Sequence, residues 1–256
     1  MPLELTVLGT SGAWPEPGRA CSGFVLRSGE SRLVLDLGFG TLPRLLAIVP
    51  AHEVRGVVVS HAHADHCVDL FGFYRALRLP TPAFRSPPVF AASDVIDRVG
   101  ALDGDGGPER LRQGLDVRPI GPAQTIDLAP FRITTFALPH FVPNVGVRVE
   151  ADGQVVAYTG DTGPSDVLDE LARDADLFVC EAMYQAAPSE RDAAFLLTAR
   201  AAGEYAQRAR ARELLLTHFW PGEDRATSRS DAQRAYPGPV RVAEEGMTVP
   251  VGRRPP

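Results

Sequence analysis

The sequence predicts an α+β fold in four layers (αββα), with two mixed β-sheets packed face to face and helices on both outer sides. Three observations lead there. Short apolar, β-branched runs alternate with helix-length segments along the whole chain. The strand-like runs come in two series, so two sheets with helices outside them account for the order. No linker composition interrupts either series, and 45% apolar residues suffice for a large core, so one domain over residues 1–256 is expected.

In the first series, residues 3–8, 23–26 and 32–35 read as strands joined by glycine-rich turns. A short helix over 42–49 ends before Pro50. Residues 57–60 form a buried strand, and a helix over 67–79 is stopped by Pro80. The proline-rich stretch 80–88 is expected to loop over the functional site, and a strand at 89–92 leads to a helix at 93–99 with Ser93 as N-cap. Asp103-Gly104-Asp105-Gly106-Gly107 lacks the following glutamate of an EF-hand loop and reads as surface. In the second series, strands are expected at 124–128, 131–138, 145–150 and 155–158, then at 177–180, 213–217 and 240–243. The helices among them are expected at 164–172, 198–210 and 228–234.

Composition bounds the function. No apolar run approaches the roughly 18 residues of a membrane span, and Met1-Pro2-Leu3-Glu4-Leu5 lacks the basic and apolar parts of a secretory signal. Three widely spaced cysteines, Cys21, Cys67 and Cys180, indicate no disulfide framework. These features fit a cytoplasmic enzyme. The net charge of −6 gives no support for a nucleic-acid surface. Arg208, Arg210 and Arg212 lie close together, and a solvated helix face explains them more simply than a binding patch.

Five of the six histidines fall where metal chemistry would use them. Three lie in Ser60-His61-Ala62-His63-Ala64-Asp65-His66-Cys67, a His-x-His-x-Asp-His run directly after a buried strand. His140 and His218 each end an apolar stretch, with Asp161 between them in Gly160-Asp161-Thr162. Neutral imidazole and carboxylate are the donors that zinc and similar divalent ions accept. Three histidines and an aspartate within six residues are hard to explain by solvation or packing. His52, in a polar turn, reads as plain surface, and Cys67 as a buried helix residue in preference to a ligand.

Several stretches carry a family resemblance. Leu5-Thr6-Val7-Leu8-Gly9-Thr10-Ser11-Gly12, Leu33-Val34-Leu35-Asp36-Leu37-Gly38, the His61–His66 run, Pro139-His140, Gly160-Asp161-Thr162 and Leu215-Leu216-Thr217-His218-Phe219 occur in the order of the metallo-β-lactamase-fold hydrolases. Within that superfamily the chain most resembles ribonuclease Z-like phosphodiesterases. Tyr158-Thr159-Gly160-Asp161-Thr162-Gly163, Phe178-Val179-Cys180-Glu181-Ala182 and Arg212-Glu213-Leu214-Leu215-Leu216-Thr217-His218 are similar to a short actinobacterial branch described as cyclic-nucleotide phosphodiesterases.

The resemblance implies the metallo-β-lactamase fold and two divalent ions, with Zn2+ first and Mn2+ or Fe2+ as alternatives. His61, His63 and His140 would hold one ion, Asp65, His66 and His218 the other, and Asp161 would bridge them. A hydroxide shared by two ions roughly 3.5–4 Å apart would attack phosphorus in line, with Asp65 also orienting it. Asp36 would support a ligand histidine through hydrogen bonding, or serve only as a turn residue before Gly38. Phe141 and Trp220, beside ligand positions, would stack on a base or pack the ligand loops.

Three departures separate the chain from full-length ribonuclease Z. The histidine that opens that family's His-Glu-Ala-Thr element is missing from Cys180-Glu181-Ala182-Met183, and a second family histidine is replaced in Phe195-Leu196-Leu197-Thr198. Only about twenty residues lie between His140 and Asp161, too few for the family's tRNA-gripping arm. The expected substrate is therefore a small phosphodiester, with 3′,5′-cyclic nucleotides first. A ribonuclease Z-like RNA processor follows, then a carboxylic ester or lactone hydrolase. The cyclic phosphodiesterase of carbon–phosphorus bond metabolism carries a cysteine-rich zinc site that Cys21 alone does not supply. A non-catalytic metal-binding protein is disfavoured because all seven ligand positions are filled. A homodimer is compatible with the resemblance.

Overall fold

The computed structural model describes residues 3–80 and 85–252. In chain order its first part contains β1 (Glu4–Gly9), β2 (Gly23–Ser28), β3 (Ser31–Leu35), α1 (Thr41–Leu46), β4 (Gly56–Val58), α2 (Ala64–Cys67) and α3 (Asp69–Arg78). Then come β5 (Pro88–Ala91), α4 (Ser93–Gly100), α5 (Gly107–Gly114) and β6 (Asp116–Pro119). The second part contains β7 (Thr125–Leu128), β8 (Phe131–Leu138), β9 (Asn144–Ala151), β10 (Gln154–Tyr158), α6 (Val167–Leu171) and β11 (Leu177–Glu181). It closes with α7 (Ala199–Arg208), β12 (Leu214–Thr217), α8 (Arg225–Ala235), β13 (Val240–Val242) and β14 (Thr248–Pro250).

The strands form two seven-stranded mixed sheets, ordered β14-β1-β2-β3-β4-β5-β6 and β13-β12-β11-β10-β9-β8-β7. This is the expected metallo-β-lactamase-type sandwich. In the first sheet β3 to β6 run parallel, and in the second β10 to β13 do. Parallel neighbours need crossover helices on the sheet face, which buries both sides. Leu214-Leu215-Leu216-Thr217 and Leu177-Phe178-Val179-Cys180-Glu181 are accordingly buried at every position. By contrast β8 alternates between core and outer positions, with Phe131 and Ile133 in the core and Arg132 exposed. The β9–β10 turn uses Asp152 and Gly153, both at positive φ (54° and 73°), the Asp-Gly conformation that matches strand twist in a hairpin.

Three apolar layers hold the sandwich. Leu5, Phe24, Leu33, Ile133, Val147 and Tyr158 meet between the sheets. Leu45, Phe73 and Ile96 from α1, α3 and α4 cover the first sheet through Val34, Val57 and Val89. Leu171, Tyr205 and Ala232 from α6, α7 and α8 cover the second through Phe178 and Leu214.

Several local expectations are corrected. The strand expected over 57–60 ends at Val58, and the helix expected from residue 67 begins at Ala64. His61 and His63 therefore sit in a strand-to-helix turn, while Asp65 and His66 occupy the first helical turn. Ser93 is inside α4, the N-cap position falls on Ala92, and no side chain caps that end. Helix α5 and strand β6 were not expected. Glycines flank the helix on both sides, and the edge strand is largely exposed, so neither shows a clear apolar period. Strand β14, also unexpected, is three residues long and returns to pair with β1. Part of the loop expected over the site, 81–84, lies outside the described residues. Arg85 and Ser86 beside it line a different cavity, with Arg78 and Arg110.

The arginine cluster has a structural explanation. Arg208 pairs with Asp169 at 2.6 Å, Arg210 with Asp174 at 2.8 Å and Arg212 with Asp176 at 2.7 Å. No helix among the described residues is long and apolar enough to cross a membrane.

Ile133 is fully buried between the sheets. Ile133→Ala is expected to cost about 2–5 kcal/mol, read as a lower urea midpoint at unchanged m-value.

Candidate metal centre

The site lies where strand ends converge on one edge of the sandwich. Asp36 follows β3, His61 follows β4, His140 follows β8, Asp161 follows β10 and His218 follows β12. Parallel strands bring these carboxyl-terminal ends together, so turns distant in sequence share one edge. Two glycines let the turns approach. A Cβ at Gly38 would stand 1.9 Å from the Asp65 carbonyl oxygen, and one at Gly160 would stand 2.7 Å from Asn144 Oδ1. Asn144 in turn donates through Nδ2 to the carbonyls of Thr159 (3.1 Å) and Asp161 (2.6 Å), fixing the Gly160-Asp161 turn. Asp36 (φ 59°) and His218 (φ 55°) are both left-handed, a local strain that the surrounding structure must hold in place.

Two groups of donors result: His61, His63, His140 and Asp161, and Asp65, His66, Asp161 and His218. In each group one donor atom per residue lies within 4.8 Å of all the others, and Asp161 belongs to both. Asp161 Oδ2 lies 3.7 Å from His61 Nε2 and 3.5 Å from His140 Nε2. Its Oδ1 lies 3.1 Å from His66 Nε2 and 3.2 Å from His218 Nε2. Asp65 Oδ2 is 3.3 Å from His218 Nε2 and accepts from the Ala13 backbone N–H at 2.7 Å.

The hydrogen bonds of the outer ring nitrogens set the tautomers. His140 Nδ1 donates to the Phe195 carbonyl at 3.0 Å, which turns the Nε2 lone pair inward. His61 Nδ1 lies 3.0 Å from Ser60 Oγ, whose proton goes to Asp36 Oδ2, and this turns His61 Nε2 inward as well. His63 Nδ1 is 3.1 Å from His61 Nε2 and 3.0 Å from His140 Nε2. Three ring nitrogens thus converge with at most one proton among them, an arrangement that a cation relieves.

The second group shows the same need. His66 Nε2 and Asp161 Oδ1 are both buried and, though 3.1 Å apart, make no well-aligned hydrogen bond. Burial lowers the pKa values of His61, His63 and His140, keeping these rings neutral. Burial works against a proton on His66 too, but the Asp161 and Asp36 carboxylates outweigh it and raise its pKa well above the ordinary value. The same carboxylates favour a divalent ion, which competes with the proton for Nε2. Both donor groups fit divalent metals.

Comparison with known proteins agrees with this geometry. A family profile described as a beta-lactamase superfamily domain matches residues 31–219. The chain belongs to that superfamily. It has the metallo-β-lactamase fold and is a metallohydrolase related to the ribonuclease Z and YhfI branch. An uncharacterized protein of Mycobacterium leprae is 35% identical over 96% of this chain and 88% of its own length. Ribonuclease Z of Kineococcus radiotolerans is 30% identical over 99% of this chain and 96% of its own. The crystal structure of the metallo-β-lactamase-fold protein YhfI from Bacillus subtilis superposes with a TM-score of 0.86 at 27% identity, covering 97% of this chain and 99% of that one.

The other predicted residues are distributed as follows. Asp36 faces His66 Nδ1 at 2.8 Å and also occupies a left-handed turn position, so the structure holds the geometry of both sequence readings. Cys67 is buried among apolar residues, outside both donor groups, and burial pushes its thiol up to about 12. His52 is exposed. Phe141 and Trp220 both line the cavity of about 420 Å³ above the metal groups.

Some contributors received no role from the sequence, although Glu181 lies in a stretch that carries the family resemblance. Glu181 is fully buried, and its carboxylate accepts from the backbone N–H of Thr162 and of Leu197 (3.2 Å). It thereby ties the Asp161 turn to the stretch whose Phe195 carbonyl orients His140. Burial, reinforced by Asp161, raises its pKa well above the usual carboxylate range. Its neighbour Cys180, where ribonuclease Z would place a histidine, points into the helix-facing core. Tyr184 and Arg191 line the same cavity, and Ala13 reaches the metal centre only through its backbone N–H.

Asp36→Ala is expected to weaken metal affinity about 10–100-fold, measured by chelator competition. Tyr158→Phe removes only the 2.6 Å donation from the phenol to Asp36. It is expected to cost about 1.5–3 kcal/mol of stability while metal stoichiometry is retained.

Proposed function

We propose that this metallohydrolase is a two-metal phosphodiesterase. The observation that carries the reading is Asp161, whose two carboxylate oxygens each face a different donor group. In this reading His61, His63 and His140 would hold one ion and Asp65, His66 and His218 the other, with Asp161 available to both. When bound, two divalent ions would supply an activated water and neutralise charge on phosphoryl oxygens.

The chain's own residues define the rest of the site. Asp65 has a carboxylate oxygen beside His218 and the Ala13 N–H, a position from which it orients the attacking water. The charge and hydrogen bond of His218 and the charge of His66 overcome the opposing effect of burial and keep Asp65 ionised. Asp36 fixes the tautomer of His66, and Phe195 that of His140.

Two substrate classes share this chemistry. A small diester, with 3′,5′-cyclic nucleotides first, suits a cavity of about 420 Å³. It also suits the single β9–β10 hairpin that fills the chain between His140 and Asp161, where an RNA-gripping arm would have to emerge. The second reading, RNA processing, is favoured by relatives named ribonuclease Z, in Kineococcus radiotolerans and Mycobacterium bovis, matched over 96% and 86% of their own lengths. Among the comparisons it has the more direct support.

The test is hydrolysis by protein loaded with zinc or manganese, with 3′,5′-cyclic AMP and a tRNA precursor as parallel substrates. Metal-dependent release of 5′-AMP that falls more than about 100-fold in Asp161→Ala is the expected result. Cleavage of the precursor alone, weakening steeply with salt, moves the assignment to RNA processing. Turnover of neither by protein holding two metals per chain excludes both classes and leaves carboxylic esters.

A further inference from the structure

The chain has two tryptophans, and they pack against each other beside the candidate metal centre. Trp220 lines it, two residues after His218, and Trp14 packs edge-on against Trp220 with ring centroids 5.1 Å apart. Tyr184 is stacked with Trp220 at 5.9 Å and an interplanar angle of 17°. Trp14 remains 47% exposed and Trp220 36% exposed. Seven large hydrophobic side chains are exposed among the described residues, and Trp14, Trp220 and Phe141 are three of them. Core packing does not explain aromatic surface left open beside a polar site, whereas ligand binding does.

The arrangement is held rigid by the backbone. Gly12 N–H donates to the Phe219 carbonyl at 2.8 Å, and Phe219 N–H donates to that of Thr10 at 3.1 Å. Trp220 N–H donates to the Met183 carbonyl at 3.2 Å, next to Tyr184. Gly222 N–H donates to Glu16 Oε1 at 3.0 Å. Three loops that carry the three rings are therefore tied to one another, so little ordering remains to be done when a ligand arrives.

We propose that Trp14, Trp220 and Tyr184 form a stacking wall that recognises a planar heteroaromatic ring on the substrate, so that the site selects phosphate esters bearing a nucleobase. The inference rests on the phosphodiesterase reading for the phosphate and on this wall for the base. Stacking on aromatic side chains is sequence-tolerant because every base offers a π-face. The wall therefore selects nucleosides as a class.

The probes are 5′-AMP and ribose 5-phosphate, which share the phosphate and differ in the base. Each is titrated into the metal-loaded full chain by calorimetry, with tryptophan emission as a second signal that arises entirely from the wall. Binding of 5′-AMP at least about tenfold tighter, or 1.4 kcal/mol, with a saturable change in emission, is expected. Trp220→Ala should remove most of that preference at unchanged metal content, and Trp220→Phe should restore it. Equal affinities in the wild type, or a preference that survives Trp220→Ala, would overturn the proposal. Hydrolysis is scored separately. Base-selective binding without phosphodiester turnover sinks the catalytic reading alone, and turnover with equal affinities sinks the stacking wall alone.

Discussion

The Asp36 carboxylate joins the two sheets at the edge that carries the metal centre. It is completely buried and accepts from Ser60 N–H (2.7 Å), Ser60 Oγ (2.8 Å) and the Tyr158 hydroxyl (2.6 Å), and it faces His66 Nδ1 at 2.8 Å. Ser60 follows β4 of one sheet, Tyr158 ends β10 of the other, and His66 lies on α2. A carboxyl group withdrawn from water is tolerated only when its hydrogen-bond partners are in place. Loss of registry between the sheets at this edge would strand that group without them. The layers below are apolar and would tolerate small shifts, so the polar clasp sets the geometry on which the donor groups depend.

That clasp also links stability to chemistry. Tyr158 packs edge-on against Phe24 in the core between the sheets, with ring centroids 5.2 Å apart, while its hydroxyl reaches Asp36. Burial and the adjacent Asp36 charge hold this phenol protonated, with its pKa well above the usual value. Glu181 plays a comparable part on the far side of Asp161, strapping two backbone segments. The candidate metal centre is thus bracketed by two buried acidic side chains, Asp36 and Glu181, that take no part in either donor group. The cavity above it is different in character, with a floor of ligands and a mouth of aromatic rings. The superfamily places unlike activities on one scaffold, and such mouth-forming loops are where they can diverge.

The sequence made the donor set legible because its chemistry is local and rare. Three histidines and an aspartate in one short run have few explanations other than metal binding, and all seven predicted positions do converge. Strands in the second series were equally legible, with β8 at its expected bounds, since they alternate or run apolar without interruption. The elements that escaped were short, polar or glycine-bounded: α5, β6 and β14. Extending β4 through Ser60 was an error of the same kind. Val59 is apolar and buried, but its N–H bonds to Phe90 from outside the regular ladder. His61 and His63 aim at one point because the turn after β4 places them there.

By itself the sequence determined the fold class, the identity and order of the donors, and the chemistry they suit, because hydrophobic period and ligand type are properties of neighbouring residues. Tertiary structure decided which ring nitrogen each histidine turns inward. It also placed the three aromatic rings beside the candidate metal centre. Those outcomes depend on bonds such as Gly222 to Glu16, across 206 residues, and Tyr158 to Asp36, across 122. Partners that far apart leave no periodic trace along the chain. They become neighbours only when two sheets of parallel strands bring their ends to a common edge.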